Sequence, residues 1–345
     1  MKKEKDWEIP SLFRDFASEC RAVRKGVGLL DLSYRGKLEV TGKDSTDFLH
    51  NVLTNDIKSL GFGNGCYATL LNAQGQILAD MNVSIFTNSV FLEMESGLEK
   101  KILERLSRLK VTEQVEIRDV TSEWIILSLQ GPKSESLVGA LIHGPMMMVT
   151  EEFQHTHFSI LDTPVTLVRR SVTGERGFHL LIPQREGEPI AKRILAVGGL
   201  YGMKPVGSNA YEILRIEAGI PRYGIDMDET VLLPETGLET IAASETKGCY
   251  PGQEVVARIK TYKGLNRKLS GLVFDKGALP KTGDKVLKNG KEIGFVTSAC
   301  HSPTLEKGIA LAYLGKGFFD PPQSVSIASN PAALPAEVAA LPFLH

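Results

Sequence analysis

Lys247-Gly248-Cys249-Tyr250-Pro251-Gly252-Gln253-Glu254-Val255-Val256-Ala257-Arg258 is the most informative stretch of this chain. Pro251 suits the first turn of a helix running toward Ile259, because a first-turn residue has no intrahelical use for its N–H. That start sets Cys249 at or just before a helix N-terminus, where unpaired N–H groups and the helix dipole favour a thiolate, with Lys247 as a positive neighbour. The competing reading is a small buried cysteine held in a glycine-bracketed loop. Gly248 and Gly252 either admit close backbone approach or simply turn the chain. Gln253 and Glu254 either bond a partner or cap the helix.

Upstream, residues 38–40 read as a short strand, and Asp44 stands where it caps a helix carrying Phe48, Leu49, Val52 and Leu53. Residues 66–71 read as another strand, and 77–86 with 90–94 as a hairpin. Leu98, Ile102, Leu103, Leu106 and Leu109 mark one helix face. A second cycle follows: a strand at 124–129, a helix at 134–142, strands at 158–161, 165–169 and 178–182, and a helix from Pro189 to Val197. Ser208 caps a further helix that stops at Gly219 with Pro221 beyond. From Arg267 the texture changes to short β segments separated by Gly and Pro turns, which predicts a small barrel.

The expected architecture is therefore α+β. Residues 1–262 form two sheet-and-helix subdomains, about 1–120 and 121–262, each a mostly antiparallel sheet with helices on one face. A β-barrel follows over 263–328, and an Ala/Pro-rich tail over 329–345 is expected to be loosely docked.

Composition bounds the function. Lys plus Arg, at 40, nearly balances Asp plus Glu, at 41, so any polyanion site must be a local patch rather than a property of the whole field. No run approaches the roughly 20 apolar residues of a membrane helix. The charged first residues lack a following apolar segment, which predicts a cytoplasmic protein that is not exported. Cys20, Cys66, Cys249 and Cys300 form no C-x-x-C pair, which points to reduced thiols and no metal bound by the chain.

The quoted stretch resembles the K-G-C-F/Y-x-G-Q-E signature of the YgfZ family, within the glycine-cleavage T-protein (aminomethyltransferase) superfamily. The runs Arg215-Ile216-Glu217-Ala218-Gly219-Ile220-Pro221, Asp31-Leu32-Ser33, Leu71-Asn72-Ala73-Gln74-Gly75 and Ile293-Gly294-Phe295-Val296 keep the superfamily's order, so the resemblance spans residues 28–314. It implies an aminomethyltransferase-like fold that binds tetrahydrofolate or a derivative. It further implies a role in assembly or repair of iron–sulfur enzymes, including tRNA methylthiolation, with Cys249 and Lys247 at the centre and Tyr250 and Arg258 among the motif residues. Arg258 also opens a basic run with Lys260, Lys263, Arg267 and Lys268. That run is a solvated face, a cradle for a folate polyglutamate tail, or a dock for tRNA or an acidic partner. No aromatic spacing of an RNA-binding motif accompanies it.

Two departures shape the expectation. In T-proteins a pterin-gripping carboxylate ends a Y-T-G-E-x-G-F-E motif. Here Val172-Thr173-Gly174-Glu175-Arg176-Gly177-Phe178-His179 ends in His179, and a neutral imidazole offers one acceptor where a carboxylate offers two. The T-protein G-G-x-I/L-D-D-L/F run is Gly75-Gln76-Ile77-Leu78-Ala79-Asp80-Met81, leaving Asp80 as a general acid/base or ligand contact, or as a plain strand residue. The alternatives are a tetrahydrofolate-dependent aminomethyltransferase or demethylase using Asp80, and a non-catalytic interaction module with a vestigial folate cavity.

Overall fold

The computed structural model describes residues 1–4, 7–142, 149–275, 277–329 and 333–344. It divides into two compact units. The first comprises Met1–Leu70, Ala79–Tyr211 and Ile241–Pro251, and the second Leu71–Leu78, Glu212–Thr240 and Gly252–His345.

The first unit is organised by two sheets. One runs Gly65–Leu71, Ile77–Ile85, Ser89–Met94, Gly36–Thr41, Glu116–Asp119 across its width. The other runs His155–Ile160, Thr163–Arg169, Gly177–Pro183, Trp124–Gln130, Gly28–Asp31, Lys204–Pro205. Its last pair is parallel and the other registered pairs are antiparallel. Because Gly28–Asp31 belongs to this second sheet, the sheets do not separate at residue 120 as the sequence suggested. This one early strand is inserted between Trp124–Gln130 and Lys204–Pro205. The helices Ser134–Leu141 and Gly187–Gly198 bury Leu137, Val138, Ile190 and Ile194 against Leu129, Leu167, Leu180 and Ile182 of the second sheet.

The helix Phe16–Lys25 shows how locally its ends are written. Asp15 accepts the Ser18 N–H at 2.8 Å, Arg24 and Lys25 occupy the last turn, and Gly26 follows, the pattern a helix dipole and its orphan donors favour. Asp44 behaves differently: it sits at the cap of Ser45–Val52 but makes no cap bond, its carboxylate accepting from Gln114 N at 2.7 Å instead. Ser208 is likewise no cap. It is the first residue of Ser208–Glu217, and its Oγ is buried without a partner.

The second unit is built on a closed six-stranded barrel, ordered Arg267–Phe274, Lys307–Gly315, Lys291–Ser302, Lys285–Lys288, Gln323–Ile327, Leu334–Ala339. Leu334–Ala339 pairs with both Gln323–Ile327 and Arg267–Phe274, so the expected loose tail supplies the closing strand. Its alternation was masked by short side chains: Ala336 and Val338 are buried in the core with Leu272, Val286, Val296 and Leu314, and Leu334 packs against it.

Charged groups are buried beside this core. Arg215 donates to Asp226 Oδ2 at 2.5 Å and to Ser298 Oγ at 2.6 Å, while Asp226 Oδ1 accepts from Thr297 and Ser298 at 2.5 and 2.6 Å. The Ser302 hydroxyl donates to Glu217 at 2.5 Å. The run from Arg215 to Asp226, read in the sequence only as a resemblance, is thus a polar buttress for the barrel strand Lys291–Ser302.

Candidate functional site

The strand Ile77–Ile85 places Asp80, Asn82 and Ser84 on one face, since strand side chains alternate. The paired strand Ser89–Met94 sets Glu93 opposite Asn82. The Tyr67 hydroxyl, from Gly65–Leu71, donates to Asp80 Oδ2 at 2.8 Å. Arg35 Nε donates to Glu93 Oε1 at 2.5 Å, and its Nη1 to Glu95 Oε2 at 3.0 Å. Asn82 donates to Glu93 Oε2 at 3.3 Å. From the second sheet, His179 brings Nδ1 to 3.5 Å from the same oxygen. Arg170 lies over the rings of Phe153 and Tyr67, 4.9 and 5.9 Å from the centroids.

This basin is polar and under-satisfied. Asp80 Oδ1, Asn82 Oδ1, both ring nitrogens of His179 and Arg170 Nε are buried without a hydrogen-bond partner. Buried polar atoms are rarely left so, and several together mark a place for a polar ligand. Burial raises the Asp80 pKa, with Arg35 and the Tyr67 hydroxyl pulling the other way. Burial and the Asp80 charge raise that of Tyr67. Burial would also raise Glu93, but Arg35, His179 and Asn82 override it and hold the carboxyl well below its ordinary value of 4.5.

That depression has a sign. As pH falls below 4.5 the unfolded chain takes up a proton that native Glu93 refuses, so the stabilisation is full above that value and lost below it. Glu93→Gln is expected to flatten the acid limb of a plot of unfolding free energy against pH, while lowering stability near neutrality. Urea titrations from pH 3 to 7 check it, and parallel wild-type and variant curves would contradict it.

The cysteine segment is arranged otherwise than its spacing suggested. The helix is Gln253–Arg258, with Gly252 before it in the left-handed region at φ 81°, so Pro251 lies outside the first turn. Cys249 is exposed. Lys247 is buried and does not act as a free charge beside the sulfur. Its ammonium donates to the carbonyl of His50, to that of Leu53 at 2.5 Å and to that of Asn55 at 3.3 Å, closing the C-terminal end of the helix Ser45–Val52, and it lies over the Tyr250 ring. Burial pushes its pKa down to about 8. Lys247→Ala leaves those carbonyls without their donor, a loss of about 1–3 kcal/mol, read as a lowered denaturation midpoint. An unchanged midpoint would contradict the assignment.

The remaining predicted residues separate. Glu175 pairs with Arg24 at 2.9 Å, and Arg24 also donates to Thr173 O, which ties down the turn ahead of His179. In the second unit Asn72 accepts the N–H groups of Gln74 and Gln76 and so shapes the turn containing Gly75. A Cβ on Gly252 would stand 2.6 Å from Asn72 O and 2.9 Å from Gly75 Cα, so glycine here serves backbone contact. Gly248 and Glu254 are exposed, as is Arg258, and Gln253 is half-buried. Arg267, from the basic run, is engaged by Glu235 at 3.0 Å and by the carbonyl of Thr230. Sequence reasoning found Asp80 and His179 but missed Tyr67, Arg35, Asn82 and Glu93. The available signal was the charge of Glu93 inside the apolar run 90–94, repeated two residues on by Glu95.

Residues 1–246 match the family model described as the GCVT N-terminal domain, and residues 267–344 match that of the glycine cleavage T-protein C-terminal barrel domain. The chain belongs to the glycine-cleavage T-protein family. Similar T-protein relatives include the aminomethyltransferase of Caldanaerobacter subterraneus subsp. tengcongensis, 32% identical over 310 residues, 89% of this chain and 82% of that protein. The aminomethyltransferase of Clostridium botulinum (strain Loch Maree / Type A3) is 33% identical over 309 residues, 89% of this chain and 83% of that protein. The crystal structure of the glycine cleavage system aminomethyltransferase T from Bartonella henselae superposes with a TM-score of 0.87 at 22% identity, covering 98% of this chain and 92% of that one. At that identity the likeness concerns the T-protein fold. These relatives are named aminomethyltransferases and not YgfZ proteins, so the resemblance read in the sequence holds at the level of the superfamily.

Among the described residues no group of three or more His, Cys, Asp or Glu side chains could hold a metal, and no helix is long and apolar enough to cross a membrane.

Proposed function

We propose that the chain binds a reduced folate in the basin of its first unit and moves a one-carbon unit to or from it, the reaction type for which its curated relatives are named. The observation that carries this reading is the set of orphaned polar atoms. The acceptors Asp80 Oδ1 and Asn82 Oδ1, the donor Arg170 Nε and an imidazole of either role fit the mixed donor and acceptor edge of a pterin. The His179 substitution is met by Glu93, a carboxylate brought to the same place from the facing sheet. Bound tetrahydrofolate supplies the nitrogens that carry the one-carbon unit. Asp80, with its raised pKa and one oxygen fixed by Tyr67, holds and moves a proton through the other. Arg35 keeps Glu93 ionised, and Glu93 with Asn82 orients the ligand.

A second reading rests on Cys249, exposed in a segment that keeps the K-G-C-Y-P-G-Q-E signature while Ala79 replaces one acid of the T-protein pair. On this reading the protein keeps folate binding but serves the assembly or repair of iron–sulfur enzymes in the cytoplasm. Transfer from an aminomethyl donor to tetrahydrofolate, followed in wild type, Cys249→Ala and Asp80→Asn, separates the two. The transferase reading expects activity that survives the cysteine change and not the aspartate change. No transfer by the wild type, together with rescue of iron–sulfur enzyme activity in a deletion strain by wild type but not Cys249→Ala, would replace it with the second.

A further inference from the structure

The geometry points to a binding site for nucleotide phosphates on the first unit, in a cleft of about 640 Å³ beside the helix Phe16–Lys25 and apart from the folate basin. Five cations line it: Arg14, Arg21, Lys25, Lys133 and Lys204. All are exposed, and Arg21 and Lys25 are four residues apart on one helix face. The cleft has one acid in its lining, Glu19, and that acid is fully engaged. It is 2% exposed, with Oε1 accepting the N–H groups of Phe13 and Arg14 at 2.7 and 2.9 Å and Oε2 that of Gly207 at 2.8 Å. Asp15, beside Arg21, accepts from Ser18 N. None of the five cations makes a salt bridge among the described residues.

The chain as a whole carries a formal charge of −1, so this is a concentrated local field. Like charges gathered in a concavity repel one another and attract an anion of high charge density. Phosphate fits better than peptide carboxylate because the same cleft exposes aromatic surface. Phe13, 50% exposed, and Tyr201 both line it, and a flat base stacks on such rings while its phosphates meet the cations. Backbone donors contribute little, since the N–H groups of Gly26, Lys133, Gly202 and Met203 are spent on Ala22, Gly26, Gly199 and Gly198. The side chains therefore carry the recognition. The sequence hid this cluster because Lys133 and Lys204 are far from the first helix in the chain.

Two sources present this chemistry, a free nucleotide and single-stranded RNA. Fluorescence anisotropy of a labelled oligouridylate of about ten nucleotides, on the full chain, is expected to show saturable binding with a log–log salt slope of about −3, as for roughly four phosphates. The exposed double reversal Arg21→Glu/Lys25→Glu is expected to weaken it at least about tenfold and make the slope shallower. Phe13→Ala is expected to weaken it about fivefold or more. Unlabelled ATP that displaces the oligomer completely identifies a free-nucleotide site, and failure to displace identifies a strand site. Tetrahydrofolate binding by the double reversal, unchanged from wild type, certifies its fold and keeps this test separate from the proposed function. Absence of saturable binding, indifference to the double reversal, or equal displacement by poly-L-glutamate would overturn the assignment.

Discussion

Asp80→Asn is expected to lower the turnover of one-carbon transfer by about 10²- to 10⁴-fold, the usual contribution of a positioned acid or base, while changing tetrahydrofolate affinity only a few-fold. The substitution keeps the shape and still accepts the Tyr67 hydroxyl, which the carboxylate takes at 2.8 Å. It removes the group that exchanges a proton. Because burial raises the Asp80 pKa from its ordinary 3.8, the wild-type rate is expected to titrate at a pH above that value, and the variant to lack the limb. Steady-state rates and folate titrations at several pH values read both. Comparable loss of binding and turnover would assign Asp80 to ligand contact alone.

The largest loss of stability is expected from Asp226→Ala in the second unit. It takes from the Arg215 guanidinium, 1% exposed, its fully buried carboxylate partner, leaving it only the partly exposed Glu212, and removes the acceptor shared by Thr297 and Ser298. Breaking a buried pair from one side costs about 3–5 kcal/mol, because the remaining charge keeps its desolvation penalty. Thr297→Val removes one neutral donor and is expected to cost about 1 kcal/mol. Denaturant unfolding of the full chain compares them. Equal, small losses would show that water reaches Arg215 and that the network is not a buttress.

The legible parts of the fold were those whose signal is local and strong. The strands read at 77–86 and 165–169, the helix face from Leu98 to Leu109 and the barrel from Arg267 carry their own signals, and the structure has them as Ile77–Ile85, Thr163–Arg169, Glu99–Leu109 and the closed barrel. The strand 334–339 was illegible because Ala336 and Val338 give too little apolar contrast, and its partners are remote in sequence. Gly28–Asp31 was not read as a strand, and nothing local says that so short an apolar segment joins the sheet of residues 124–205. At the site, Asp80 and His179 were visible because a family pattern breaks there. Tyr67, Arg35 and Glu93 were not, because their role exists only where two sheets face each other. Lys247 was read by its charge and its neighbour in sequence, and tertiary structure gave that charge to the carbonyl end of a helix.

The central claim is that a reduced folate is held by the basin that Glu93, Asn82, His179 and Asp80 form. Calorimetric titration of tetrahydrofolate into the wild type, Cys249→Ala and Glu93→Gln tests it most directly. Saturable single-site binding to the first two with equal affinity is expected, and at least about tenfold weaker binding to the third, since a buried charge-assisted acceptor is lost. Heat signals that never saturate in the wild type, or that are indifferent to Glu93→Gln, would contradict it.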